Sequence, residues 1–338
     1  MSIRHNGLYD HVIKYINNNP GLRLLGEVYY LQLETAYADA FSNLRRLNHL
    51  QIQLKDQNYQ EYHRRLLEPV STTLTSLRLV RLNGPLGLRG LVFPNLKRLE
   101  PVLCDPQGLQ DLLQGCPNLE DFIGMGDSNP ECTINLMNGL KSGACPTLKN
   151  LEFNVYHDQM EDFAEMLENR SGLQMLKLGV VSVNARFANA INHHASSLTC
   201  LSIRKLGSGL ILPFILTIVG SCGQLKDVTV EAVKNEAIDL LMSRDNWENP
   251  DALESLALRG KPISLRGNDV DMSTRETIII GIDEPLEPLI DGWKRSRGTK
   301  LDRQSREYLT ALFQIAQGYS RLQTITINDV VYHKVSAQ

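Results

Sequence analysis

The chain has 338 residues, of which 42% are hydrophobic and 22% are charged, so it can bury a sizeable core and wholesale disorder is excluded. Its formal net charge of -3 gives no reason to expect binding to nucleic acid or to an anionic membrane surface. The six cysteines form no CxxC pair and no secretory signal precedes them, so we expect reduced thiols and a cytoplasmic or nuclear location.

A short pattern, L-x-x-L-x-L with other aliphatic residues or Phe allowed at its last two positions, recurs eleven times along the chain. All steps between successive matches except the last are 22–29 residues, a spacing typical of leucine-rich repeats. The anchor leucines that open the eleven matches are Leu22, Leu47, Leu74, Leu96, Leu119, Leu148, Leu173, Leu198, Leu225, Leu253 and Leu322.

Each match predicts a short strand, because side chains alternate along a strand and the fourth and sixth positions then share one buried face. Between the strands the apolar spacing changes to that of a helix. Ile134, Met137 and Leu140 are predicted to share a buried helix face, and Asp158 is placed to cap the next helix. The most apolar run, 210–219, is too short to span a bilayer and is predicted to be a buried helix, so we expect no membrane span.

Cysteine recurs at the predicted helix ends. Cys116, Cys145 and Cys222 each stand three residues before an anchor leucine, where a side chain can turn inward and pair with open backbone groups. His193 and His194 are predicted to be a solvent-facing pair at another helix end. Because zinc needs about four ligands in a set geometry, we expect no metal site from these residues.

Together these elements predict an α/β fold: a single right-handed leucine-rich-repeat solenoid over residues 1–338, shaped as a horseshoe of about 11–12 repeats. Parallel strands would line its concave face and helices its convex face. Residues 1–21 are predicted to be a partial first repeat, and residues 301–338 the last repeat and the C-terminal end. Residues 259–300 are predicted to be an irregular repeat or an inserted loop, with a degenerate strand at 277–282.

Three segments share a cysteine-containing form of the pattern: C-P-N-L-x-x-F at 116–122, C-P-T-L-x-x-L-x-F at 145–153 and C-G-Q-L-x-x-V-x-V at 222–230. These segments resemble the cysteine-containing repeats of fungal F-box/leucine-rich-repeat proteins, which have a ribonuclease-inhibitor-like fold. In that family an N-terminal F-box binds the adaptor of an SCF-type E3 ubiquitin ligase, and the repeats capture the substrate. The sequence has no F-box opening of the L-P-x-E-[IL] type. Two alternatives follow: an F-box missing from the gene model, or a repeat-only relative.

No constellation for catalysis or for a cofactor stands out. The glycine-bearing segments 124–128 and 207–209 lack the GK[ST] of a phosphate-binding loop and the third spaced glycine of a dinucleotide site. The basic cluster at 294–300 is interpreted as a solvated loop that leads into a helix. We therefore expect no enzyme activity and no cofactor.

The candidate site is the strand face that points away from the core, because it carries polar residues with scattered apolar ones. Arg, Met and aromatic residues are enriched at protein interfaces. The residues predicted to bind a partner are Arg78, Arg98, Glu100, Asp121, Met125, Asn150, Glu152, Tyr156, Lys177 and Arg204.

The favoured function is a non-enzymatic scaffold that binds a protein on its concave face, and the resemblance implies substrate recognition for an SCF-type ligase. The first alternative is a ribonuclease-inhibitor-like regulatory protein with no role in ubiquitination. The second alternative is an enzyme built on a repeat scaffold. The sequence does not identify the bound partner.

Overall fold

The structure of the chain is a computed structural model. It describes residues 9–31, 35–54, 60–80, 87–102, 106–124, 130–180, 183–205, 212–231, 240–241, 243–259, 293–295, 313–314, 316–327 and 330–334. None of the helices in these ranges has the length and apolar character needed to cross a bilayer. The predicted strand at 277–282 lies outside them.

A single sheet of 13 strands organises the described residues. Eleven of its strands lie side by side in chain order and are all parallel, and two antiparallel strands follow at the C-terminal edge. The strands are β1 (Leu24–Leu31), β2 (His49–Leu54), β3 (Ser76–Val80), β4 (Arg98–Val102), β5 (Asp121–Ile123), β6 (Asn150–Val155), β7 (Met175–Val180), β8 (Cys200–Lys205), β9 (Asp227–Glu231), β10 (Ser255–Arg259), β11 (Trp293–Arg295), β12 (Thr324–Ile327) and β13 (Val330–Lys334).

Helices alternate with the parallel strands, and neighbouring helices pack against one another along the sheet. This alternation around one parallel sheet confirms the α/β prediction. The helices are α1 (Tyr9–Asn18), α2 (Thr35–Ser42), α3 (Gln60–Leu67), α4 (Pro106–Gln114), α5 (Pro130–Lys141), α6 (Met160–Glu168), α7 (Ala185–Asn192) and α8 (Leu212–Val219). Short 3-10 turns lie at Glu68–Val70, His157–Gln159, Arg244–Asn246 and Pro250–Ala252.

The anchor leucines fix where the strands begin. Each of the eleven parallel strands starts two residues after its anchor leucine, as Asn150 follows Leu148. All the anchor leucines are buried except Leu22, which is half-buried at the N-terminal edge. The sequence pattern therefore predicts the start of every parallel strand, because each anchor is a core residue.

A repeated backbone contact keeps the strands in register. The carbonyl of Glu120 accepts hydrogen bonds from the N–H groups of Lys149 and Asn150, at 2.9 and 3.0 Å. The same contact, one carbonyl with two successive N–H donors from the next strand, occurs at all ten junctions between the parallel strands. Equivalent pattern positions of neighbouring repeats consequently lie beside one another in the sheet.

The core lies between the sheet and the helices and consists mostly of aliphatic side chains. The fourth and sixth pattern positions supply the sheet side, for example Leu151 and Phe153, and both are buried. Phe153 packs edge-on against Phe163 of α6, with 5.1 Å between ring centroids, and Phe163 contacts Phe187 of α7 at 5.6 Å. One strand and two successive helices are thus joined by one aromatic row.

Two details of the helices differ from the sequence prediction. Ile134 is 38% exposed, whereas Met137 and Leu140 are buried. It lies two residues, about 200° around a helix, from the buried Cys132, so it points outward. Asp158 does not cap α6, because a 3-10 turn already begins at His157 and includes it. The residue that precedes α6 is Gln159, whose side chain makes no capping hydrogen bond.

The C-terminal edge also differs from the prediction. Lys294 and Arg295 of the basic cluster lie in strand β11, which pairs antiparallel with β13, and not in a loop. Strand β13 itself was not predicted. It pairs antiparallel with β12, so these two strands end the parallel array. The remaining residues of the cluster, 296–300, lie outside the described ranges.

Candidate functional site

The face of the sheet opposite the helices carries the polar side chains. Along β3 and β4 burial alternates, so that the third, fifth and seventh pattern positions stay at least partly exposed while the positions between them are buried. We call this surface the open face. It is the surface on which the sequence placed the candidate site.

Most of the residues predicted to bind a partner lie on the open face, on successive strands. Those on the strands are Arg78, Arg98, Glu100, Asp121, Asn150, Glu152, Lys177 and Arg204. Tyr156 directly follows β6, where its backbone N–H donates to Oε1 of Gln159 at 3.4 Å. Met125 lies outside the described residues.

The first group of these residues spans β3 and β4. The guanidinium of Arg78 lies 3.2 Å from the carboxylate of Glu100, its register partner on the next strand. Arg98 approaches the other oxygen of the same carboxylate at 3.9 Å. Glu100 is the least exposed of the three, so it holds two more exposed arginines at the surface.

A hydrogen bond between an amide and a carboxylate separates this group from the next one. On β6, Nδ2 of Asn150 donates a hydrogen bond to Oδ1 of Asp121 on β5, its register partner. Next to this contact, at the amino ends of the strands, the carboxylate of Glu120 lies 2.9 Å from Nζ of Lys97 and 3.1 Å from Nζ of Lys149. Hydrogen bonds to these two lysines, together with their positive charges, lower the pKa of Glu120, and desolvation acts in the opposite direction.

The second group surrounds a shallow depression of about 160 Å³ in the open face. It covers the ends of four adjacent strands, β6 to β9, and it brings together Glu152, Lys177 and Arg204 from the predicted set. Its lining residues are Gly124, Glu152, Phe153, Asn154, Lys177, Leu178, Gly179, Ser202, Arg204 and Glu231. The carboxylate of Glu152 lies 3.9 Å from Nζ of Lys177.

Gly179 forms the middle of this depression. In the sheet register it stands between Asn154 of β6 and Arg204 of β8. Because glycine has no side chain, the guanidinium of Arg204 passes over β7, and its Nη2 donates to Oδ1 of Asn154 at 3.2 Å. Asn154 is only 3% exposed, so it provides a fixed anchor for Arg204.

Asn154 and Gly179 are the residues that the sequence-based site lacked. The available signal was the glycine itself, because it interrupts the polar series at the seventh pattern position of β7. The missing side chain at Gly179 leaves a space on the open face, and a side chain from a neighbouring strand can extend into that space.

The helix-end cysteines are structural. Cys116, Cys145 and Cys222 are buried, and burial raises the pKa of Cys145 and Cys222 to about 12. The Sγ of Cys145 donates to the carbonyl of Leu113 at 3.4 Å, which confirms that this side chain turns inward onto a backbone group. Thiols with such high pKa values are poor nucleophiles and poor metal ligands at neutral pH.

Arg170 occupies the same place, three residues before its anchor leucine. Its guanidinium donates to the carbonyls of Leu140 and Cys145 at 2.9 Å each, and also to the carbonyl of Ala144. These carbonyls belong to the end of α5 and the turn after it, where helical hydrogen bonding stops. Arg170 thus completes the hydrogen bonding of the preceding helix end.

The histidine pair differs from the sequence prediction. His193 is exposed, but His194 is only 1% exposed and contacts the carbonyl of Leu167 through Nε2 at 3.1 Å. The helix ends before it, and the turn directs the ring into the core between repeats. Burial lowers the pKa of His194. In the described part of the chain, no three His, Cys, Asp or Glu residues are grouped so that they could hold a metal ion.

These features define a polar surface on the described strands. The chain matches no protein-family model and no curated protein sequence.

Proposed function

We propose that this chain is a non-enzymatic scaffold that binds a protein partner on the open face of its sheet. The observation that carries the proposal is the in-register row of charged and polar side chains on that face, from Arg78 on β3 to Arg204 on β8. The core does not require these side chains, since the opposite face of each strand supplies the buried contacts. An extended row of this kind suits another protein surface.

The size of the depression supports the same proposal. Its volume of about 160 Å³ is smaller than the roughly 300–1,000 Å³ typical of small-molecule sites. It is also open and lies within a broad polar surface. A single partner side chain fits such a space better than a complete small substrate does.

The fold we propose is a right-handed leucine-rich-repeat horseshoe, in which the open face is the concave side. This assignment is supported by the spacing of 22–29 residues and by the anchor leucines that precede each parallel strand. A concave surface would increase the contact with a partner, because strands on both sides could touch it.

The resemblance to F-box/leucine-rich-repeat proteins is the reason to place this binding in ubiquitin-dependent degradation, in the cytoplasm or nucleus. On this proposal the chain would recognise the substrate of an SCF-type ligase. Affinity purification of the full-length product of the gene tests this part separately. Recovery of the SCF adaptor and a cullin would support it, and recovery of a partner without either would remove the ligase role.

The binding face is tested by charge reversal. In the triple variant Arg78→Glu/Arg98→Glu/Lys177→Glu, a partner that binds the open face should be lost, because three surface charges change sign. The matched control is Arg45→Glu/Arg46→Glu/Arg321→Glu, which reverses three exposed arginines in turns outside the open face. A partner captured equally by the wild type, the open-face variant and the control would refute the assignment of this face.

A further inference from the structure

We propose that the depression over Gly179 binds one carboxylate of the protein partner, from an aspartate or glutamate side chain, through Lys177 and Arg204. This inference rests on the proposed function, because it names the chemistry by which the open face recognises its partner.

The guanidinium of Arg204 is already positioned to bind a carboxylate. Its hydrogen bond to Asn154, at 3.2 Å, fixes the guanidinium over β7. Asn154 is buried, so the anchor itself has little freedom to move. A guanidinium has five N–H donors in a rigid plane, and this contact uses one nitrogen. The remaining donors can therefore meet a carboxylate without first being ordered.

The two cations of the depression are less neutralised than others on the sheet. Arg204 makes no ion pair with any residue that the structure describes. Among the described residues the ion pair of Lys177 is with Glu152, and the 3.9 Å separation between the two groups exceeds hydrogen-bonding distance. By contrast, Lys97 contacts Glu120 at 2.9 Å and Arg78 contacts Glu100 at 3.2 Å. Positive charge is thus available beside Gly179.

The geometry points to one carboxylate and not to a polyanion. A carboxylate is planar and matches the fork of a guanidinium, with which it forms short charge-assisted hydrogen bonds. Glu152 and Glu231 line the two sides of the same depression. Their carboxylates would repel a chain of phosphates that crosses the sheet, whereas one acidic side chain can enter between them and contact the guanidinium of Arg204.

The test uses a random peptide library displayed on phage and selected against the whole chain. We expect the selected peptides to share an aspartate or glutamate at one position. The affinity of one such peptide, and of its counterpart with that residue changed to asparagine or glutamine, is then measured on the wild type, Arg204→Gln and Lys177→Gln. The Arg46→Gln variant is the matched control, because Arg46 is exposed in a turn away from the depression.

On the wild type the acidic peptide should bind about ten- to a hundredfold more tightly than its amide counterpart, as expected for hydrogen bonds between charged groups. This preference should be largely lost in Arg204→Gln, reduced in Lys177→Gln and unchanged in Arg46→Gln. Equal thermal unfolding midpoints of the four proteins would exclude misfolding as the cause.

Two results would overturn the proposal, and they differ in what they say about the proposed function. If peptides bind the open face but the acidic preference is absent, or survives in Arg204→Gln, the carboxylate site is wrong and the binding face remains. If the library yields no peptide whose binding depends on the open-face triple variant, both the carboxylate site and the binding face are rejected.

Discussion

Arg204 reaches across a whole strand to bind Asn154, with 3.2 Å between Nη2 and Oδ1, because Gly179 leaves the space between them empty. These two residues are 50 positions apart in the chain. Their contact joins β6 to β8 on the open face and passes through the depression.

Filling the space at Gly179 should abolish partner binding with little loss of stability. In Gly179→Val the new side chain would occupy the depression and separate Arg204 from Asn154. The higher strand propensity of valine should offset the lost hydrogen bond to within about 1 kcal/mol. Partner affinity and the free energy of unfolding measure the two effects. The control is Thr229→Val, which lies on the same face but does not line the depression and should keep full binding. Equal partner binding by the two variants would refute the prediction.

Leu151→Ala should destabilise the protein by about 2–5 kcal/mol, because Leu151 is fully buried in the core of the array. The neighbouring Glu152→Ala, on the opposite face of the same strand, should change stability by no more than about 0.5 kcal/mol. Urea denaturation of the two variants provides the comparison. Similar losses of stability in the two variants would contradict the assignment of Leu151 to the core face and Glu152 to the open face.

Arg170→Ala should cost about 2–3 kcal/mol, because it removes the donors that satisfy the carbonyls of Leu140, Ala144 and Cys145. Arg170→Lys should recover part of this loss, since an ammonium cannot reproduce the planar fork. Arg186→Ala is the control, because its ion pairs with Glu161 and Glu168 are exposed and should contribute little. Thermal unfolding that ranks Arg186→Ala as the more damaging change would contradict this account.

His194 should make the protein sensitive to mild acid. Burial lowers its pKa, and the positive charges of His193 and Arg170 act in the same direction, whereas the hydrogen bond between its ring and the accepting carbonyl of Leu167 raises the pKa. The unfolded chain, with a histidine pKa of about 6.5, therefore takes up protons before the folded chain does, and stability falls as the pH drops below about 6.5. His194→Gln should be less stable at neutral pH but should lose less between about pH 7.5 and pH 5.5. Identical pH dependence of unfolding in the two proteins would exclude this role.

The buried cysteines should be inert in the native protein. Because burial raises the pKa of Cys145 and Cys222 to about 12, almost no thiolate is present at neutral pH. Iodoacetamide labelling followed by peptide mass spectrometry should find both residues unmodified until denaturant is added. The half-buried Cys200 should be modified before either of them. Rapid native labelling of Cys145 would indicate that this helix end opens.

The sequence predicts the strands better than the helix details, for a physical reason. An anchor leucine such as Leu148 must enter the core, and the backbone contact to the previous repeat then determines the strand start. The face of Ile134 depends on how α5 rotates against its neighbours, which the 3.6-residue spacing alone leaves ambiguous. The extra 3-10 turn at His157–Gln159 likewise has no counterpart in the pattern that suggested Asp158 as a cap.

Site residues can be predicted from the sequence only where the position of a residue along its strand determines whether its side chain is exposed. Glu152, Lys177 and Arg204 follow from the alternation of faces, and the structure brings them to one depression. The contact between Arg204 and Asn154 could not be predicted, because it requires the register of three strands and the reach of one side chain. The prediction that His194 faces solvent was wrong, because its burial depends on the turn after α7 and not on a repeating pattern.

The central claim is that a partner protein lies on the open face, and site-specific photo-crosslinking tests it most directly. A photoreactive residue at Thr229 would lie on the open face, and one at Asn189 would lie exposed on α7 on the helix side. We predict that the probe at Thr229 crosslinks a defined partner protein and that the probe at Asn189 does not. Crosslinking of the same partner from Asn189, with none from Thr229, would contradict the account.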